Sequence, residues 1–153
     1  MTNIKLIVQK LEKCTSYNQK RIFLQSLGRV NKGSTRMCVK IGTRYVLKVA
    51  RNSYGNIQNE REITTWINCS KSHRKYFATI YRYDDIDYEW IIQETITIPR
   101  SWENRKKLLN SISCDLQYIV ESYKLSFSEL QHQVGRNNKG KVKIYDYGYS
   151  HYD

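Results

Sequence analysis

The chain has 153 residues, 40% of them hydrophobic and 12% aromatic, which suits one domain with its own core and argues against wholesale disorder. No apolar run approaches the ~18 residues of a membrane span, the start lacks a signal-peptide core, and Cys14, Cys38, Cys69 and Cys114 form no Cys-x-x-Cys pair, which disfavours a membrane protein, a zinc site and a disulfide scaffold. A cytoplasmic protein with reduced thiols is expected, and its net charge of +12 is uneven: residues 1–51 hold twelve Lys or Arg against one acid, Glu12, while residues 52–153 hold fourteen against thirteen.

In chain order, Ile4, Ile7, Val8 and Leu11 recur at helical spacing and predict a short amphipathic helix. Residues 21–26 read as a strand, Gly28 to Thr35 as a glycine turn, Met37–Ile41 as a second strand, and Tyr45–Ala50 as a third, together a meander. A helix is predicted from about Ile57 to Asn68, with Ile63 and Ile67 on one side and Glu62 stacked near Trp66. Strands follow at Phe77–Tyr83 and Glu89–Thr95, separated by the acidic turn at Asp84–Asp87. Behind the only proline, Pro99, one long helix is predicted over Glu103–Tyr123, its stripe formed by Leu108, Leu109, Ile112, Leu116, Ile119 and Val120. Residues 141–148 read as a last strand running into a glycine turn.

This order has a chemical interpretation. A lysine on a central strand can meet nucleotide phosphates while a helix carboxylate holds its ammonium, and an aspartate at a later strand end can hold Mg²⁺. Lys48, Glu62 and Asp146 are the candidates, with Glu60 competing for the role of Glu62. Taken singly, Lys48 also suits an outward residue of a half-buried strand, Glu62 a solvated helix carboxylate, and Asp146 with Gly148 an ordinary turn.

Five segments carry a resemblance: Gly33-Ser-Thr-Arg-Met-Cys-Val39, Tyr45-Val-Leu-Lys48-Val-Ala50, the run from Asn52 through Gln58-Asn59 to Glu62, Trp90-Ile-Ile-Gln-Glu94, and Lys143-Ile-Tyr-Asp146-Tyr-Gly148. In this order they resemble the protein-kinase-like fold, in particular small kinase-like proteins encoded by bacteriophages. The resemblance implies an α+β fold of one domain, 1–153: about 1–98 form an N-lobe-like antiparallel sheet with one packed helix, and 99–153 a reduced C-lobe-like part with the long helix. It implies Gly33 shaping a phosphate loop, Lys48 on phosphates, Glu62 orienting Lys48, Glu94 near the adenine-facing hinge and Asp146 on Mg²⁺. ATP and Mg²⁺ are the implied cofactors, the cytoplasm of an infected bacterium the implied location, and a host protein the implied partner.

The chain departs from that pattern where the family carries its catalytic loop. The positions of the catalytic Asp and the metal-binding Asn fall on Ser128 and Gln133. A serine cannot accept a proton as a carboxylate does, and Gln133 would ligate Mg²⁺ only with its extra methylene accommodated. Glu129 and His132 are weak substitutes for the base. Five residues follow Gly148 where kinases place their substrate-binding helices, so the expectation is a pseudokinase that modulates a host protein. The competing reading is a basic protein that grips nucleic acid or an acidic partner through its first third without nucleotide. A true kinase using Glu129 is a third. His73, His132 and His151 lack metal-ligand spacing.

Overall fold

The structure, a computed structural model, describes residues 3–148; His151 lies outside them. Among the described residues the chain is α+β, with a five-stranded antiparallel sheet, a separate two-stranded one and seven helices. No helix among them is long and apolar enough to cross a membrane.

Helix α1 (Ile4–Glu12) starts at Asn3, whose side chain accepts from the Leu6 N–H at 3.1 Å, and it buries Ile7, Val8 and Leu11 as the spacing predicted. The strand expected at residues 21–26 is instead part of helix α2 (Tyr17–Leu27). Its start explains the difference. The Ser16 hydroxyl accepts from the Gln19 N–H at 3.2 Å, and the Gln19 amide oxygen accepts in return from the Thr15 N–H at 2.8 Å. This reciprocal cap, worth about 1 kcal/mol in general, outweighs the strand preference of Ile22 and Phe23. Ile22 is left exposed and Leu24 is the buried residue.

The sheet therefore begins later, with β1 (Val30–Lys32), β2 (Arg36–Ile41) and β3 (Tyr45–Ala50) as the meander. Helix α3 (Ser53–Asn68) follows, four residues longer at its start than expected because the Asn52 side chain caps the Gly55 N–H at 3.2 Å. Then come the short helix α4 (Lys71–Arg74), β4 (Ile80–Tyr83) and β5 (Trp90–Glu94). The sheet order is β1-β2-β3-β5-β4, every pair antiparallel.

Both faces of this sheet are covered. Met37, Val39, Ile41, Leu47, Val49, Trp90 and Ile92 pack with Ile7, Val8, Leu11 and Leu24 of α1 and α2. Ile80 and Ile91 on the opposite face join Ile63 of α3 and the C-terminal elements in a second core. Strand alternation then sends Leu47 and Val49 one way and Val46 and Lys48 the other, and all four are buried. A strand lysine in this position has no route to water. Of the two isoleucines expected on one side of α3, Ile63 is buried and Ile67 is exposed.

The long helix is interrupted. Helices α5 (Trp102–Ser111) and α6 (Ser113–Tyr123) meet at Ile112, whose φ of −115° and ψ of 16° leave the helical region. The Ser111 hydroxyl donates to the Leu108 carbonyl at 2.6 Å, a local bond that competes with the helical ladder. The stripe survives the break, since Leu108, Leu109, Ile112, Leu116 and Ile119 are all buried. After α7 (Phe127–Leu130), strands β6 (Val134–Arg136) and β7 (Val142–Ile144) form a hairpin. It docks on the main sheet's flanks, Ala78 N–H donating to the Ile144 carbonyl at 2.8 Å and Thr97 N–H to the Arg136 carbonyl at 2.8 Å.

Candidate functional site

Lys48, at the centre of β3, donates to both carboxylate oxygens of Glu62 on α3, at 3.1 and 3.0 Å. Both side chains are wholly buried. Glu60, one helical face away, is exposed, so Glu62 is the partner. The chain end brings Asp146, just past β7, to 3.5 Å from the Lys48 ammonium, and the Tyr145 ring centroid lies 4.1 Å from the same nitrogen. Sequence reasoning thus identified three of the groups that meet here.

It missed the fourth. Arg36 at the start of β2 donates to Glu62 Oε1 at 2.8 Å and to Asn59 Oδ1 at 3.1 Å, and its other terminal nitrogen contacts Asp146 directly. The result is a quartet of two cations and two carboxylates, formally neutral, in which Arg36, Lys48 and Glu62 are buried and Asp146 is partly exposed. Strand parity carried the signal: Cys38 pairs with Lys48, so Arg36, two residues earlier on β2, shares the Lys48 face. The Gln58-Asn59 pair also acquires a role. Asn59 orients Arg36 and donates to the Tyr88 carbonyl at 2.8 Å, while Gln58 accepts from the Thr35 hydroxyl at 2.7 Å.

Burial and charge compete at each group. Burial pushes the Lys48 ammonium down to about 8 from 10.5, with Glu62 pulling up and Arg36 pushing further down. Burial would raise Glu62, but Arg36 and Lys48 together hold it below the ordinary carboxylate value. Arg36 is likewise desolvated, yet Glu62 keeps it above its usual value. Burial raises the Tyr145 and Tyr147 phenols.

These shifts fix a sign for pH dependence. Between pH values of about 8 and 10.5, unfolded Lys48 retains a proton that folded Lys48 has released, so unfolding free energy contributed by this residue rises with pH across that window. Glu62 acts at the other end: its contribution is fully present above the usual carboxylate range and is lost as pH falls below that range through its lowered folded value. Urea unfolding of the wild type and Lys48→Met should show the wild type gaining on the variant as pH rises from about 7.5 to 9.5, before tyrosine ionisation enters.

Asp146 has a φ of +57°, a left-handed conformation uncommon for a residue with a side chain. Behind it Gly148 lies against α3, where an added Cβ would come within 2.4 Å of the Gln58 carbonyl and 3.1 Å of Glu62 Cγ. That close approach requires glycine and sets the distance at which Asp146 meets Arg36 and Lys48.

The remaining predicted site residues separate from the quartet. The turn at Gly33 is fastened down: Gly33 N–H donates to the Arg36 carbonyl at 2.8 Å, Arg51 N–H to the Thr35 carbonyl at 2.7 Å, Asn52 Nδ2 to the Ser34 carbonyl at 3.2 Å, and the Arg51 guanidinium to the Gly33 carbonyl. Glu94 uses its carboxylate structurally, accepting from Thr79 N–H at 2.9 Å and Asn137 Nδ2 at 3.1 Å and pairing with Lys143 at 3.5 Å. Gln133 reaches the site through its backbone, its carbonyl accepting from the Tyr145 N–H at 2.7 Å; no hydrogen bond joins its amide to Asp146. Glu129 and Ser128 sit exposed on α7, which the Ser126 hydroxyl caps. His132 is exposed, and His73 is held by the Tyr123 hydroxyl at 2.8 Å.

The donor set does not fit a magnesium ion as arranged. Asp146 and Glu62 are the carboxylates at hand, and Arg36 and Lys48 already neutralise both. A divalent cation would add two charges to a neutral cluster and would need the Arg36 contact broken. Neither a protein-family model nor a curated protein sequence matches this chain.

Proposed function

We propose that the chain is a phage-type pseudokinase, a kinase-like protein that does not transfer phosphate and works by binding and modulating a host protein. One observation carries the loss of phosphotransfer: Arg36 bonds both carboxylates that a nucleotide-bound metal and its lysine would need, so an internal cation stands where the metal charge would act. Supporting it, the order β1-β2-β3-β5-β4 with α3 behind β3 suits an N-lobe-like sheet, and the Lys48–Glu62 pair has the arrangement the resemblance implies. At the catalytic-loop positions Ser128 is no carboxylate and Glu129 is solvent-exposed on α7, while Lys48 is fully enclosed. The host-protein role and the infected cytoplasm rest on the resemblance.

The test is thermal unfolding with and without millimolar ATP and Mg²⁺. A native-state ligand at 100 times its dissociation constant would add about 2.7 kcal/mol. Any shift should be the same with and without Mg²⁺ and the same in wild type and Lys48→Met, since neither ATP nor Mg²⁺ enters a site at the quartet. A Mg²⁺-dependent rise of several degrees that disappears in Lys48→Met would contradict the proposal.

A further inference from the structure

A second concentration of positive charge lies away from the quartet. A cavity of about 680 Å³ opens between the β2–β3 turn, the segment entering β4 and the β6–β7 turn, and Arg44, Lys75, Lys139, Lys141 and Lys143 line it. Glu94 is the single carboxylate among the lining residues, and Lys143 at 3.5 Å with Thr79 and Asn137 already satisfies it. Among the described residues, Arg44, Lys75, Lys139 and Lys141 have no carboxylate within ion-pair distance. Four cations without a carboxylate partner therefore line one concavity, Arg44 lying over the Tyr45 ring at 5.6 Å and Lys75 over the Tyr76 ring at 4.9 Å, and the low-dielectric wall concentrates their field.

The site is built rather than a chance meeting of surface lysines. The Asn137 side-chain oxygen accepts from the backbone N–H groups of both Lys139 and Lys141, each at 3.0 Å, which sets the turn that carries them. Asn138 Nδ2 donates to the Thr43 carbonyl at 3.0 Å, and Thr95 N–H to the Arg44 carbonyl at 2.9 Å, tying that turn and β5 to the Arg44 turn. Thr95 lines the cavity, is 92% buried and has a hydroxyl with no hydrogen-bond partner. Half-exposed Tyr81 supplies an aromatic wall, braced edge-on by Tyr45 at 5.1 Å between centroids.

We infer that this cavity binds a polyanionic phosphate ligand, with Arg44, Lys75, Lys139 and Lys141 on the phosphoryl oxygens and Tyr81 available to stack on a base. The volume is that of a small-ligand site. Two sources share the chemistry, a free polyphosphate or nucleotide and the backbone of a single-stranded nucleic acid, whose bases stack on aromatic rings. The inference does not depend on the pseudokinase reading, because none of its residues belongs to the quartet.

Titration calorimetry with inorganic tripolyphosphate and, separately, with a short single-stranded RNA tests it on the wild type, Lys139→Gln/Lys141→Gln and, as a charge-matched control, Lys5→Gln/Lys10→Gln on α1. Saturable tripolyphosphate binding, weakened at least tenfold in the first variant and less than twofold in the control, is the expected result. Binding of the RNA alone, weakened in the same variant and falling steeply with salt, also supports the site and assigns the phosphates to a strand. No saturable binding of either, or equal losses in both variants, would overturn it.

Discussion

Glu62→Gln should destabilise the protein by about 3–5 kcal/mol, the cost of removing one partner from a buried ion pair. Glu62 bonds Lys48 at 3.1 and 3.0 Å and Arg36 at 2.8 Å, and it is wholly buried. Its loss leaves two cations facing one remaining carboxylate, Asp146. The cheapest response is for Lys48, already pushed down to about 8, to release its proton. The deficit should therefore shrink as pH rises toward about 9, and Lys48→Met in the Glu62→Gln background should recover part of it, since Arg36 keeps Asp146. Urea unfolding across this set is the check. A cost below about 1 kcal/mol for Glu62→Gln would mean that the Lys48–Glu62 pair is screened as a surface pair is, and would contradict this account.

Gly148→Ala carries the second large effect. The added Cβ would lie 2.4 Å from the Gln58 carbonyl, so either α3 or the chain end must move. Overpacking of this kind costs about 1–3 kcal/mol. Its consequence is specific: moving the chain end draws Asp146 off Arg36 and Lys48. Gly33→Ala is the comparison, because a Cβ there meets only the Arg36 carbonyl at 3.4 Å, and its cost should stay within about 0.5 kcal/mol. Equal losses in the two variants would show that the contact at Gly148 is not what limits the site.

The parts legible in the sequence were those where local pattern and tertiary environment agree. Strands β2, β3 and β5 are rich in apolar and β-branched residues, and the sheet buries β3 and β5 on both faces. The lysine–carboxylate pair followed from element order, since a helix after β3 returns Glu62 to Lys48. Where they conflict, pattern misled. Ile22 and Phe23 have strand preference, but Ser16 and Gln19 cap a helix, and Ile22 ends exposed. The stripe from Leu108 to Val120 reads as unbroken because apolar spacing does not register the Ser111 hydroxyl bond that ends α5. Arg36 went unnoticed because a basic residue at a strand start ordinarily faces water. The basic cavity was invisible for another reason. Charge summed along the chain pointed to residues 1–51, yet Arg36 and Lys48 are consumed in the quartet and Lys20 pairs with Glu89 at 2.7 Å. Four of the five cavity cations come from the nearly neutral remainder, brought together only by folding.

The reading turns on whether Arg36 keeps metal–nucleotide away from Asp146, and paramagnetic broadening by Mn²⁺ in the presence of ATP reports on that atom by atom. With Arg36 seated, the backbone amides of Tyr145, Asp146, Tyr147 and Gly148 should broaden no more than those of buried β3. Selective loss of those four signals at substoichiometric Mn²⁺, reversed by excess Mg²⁺, would contradict it and place a working metal–nucleotide site at Asp146.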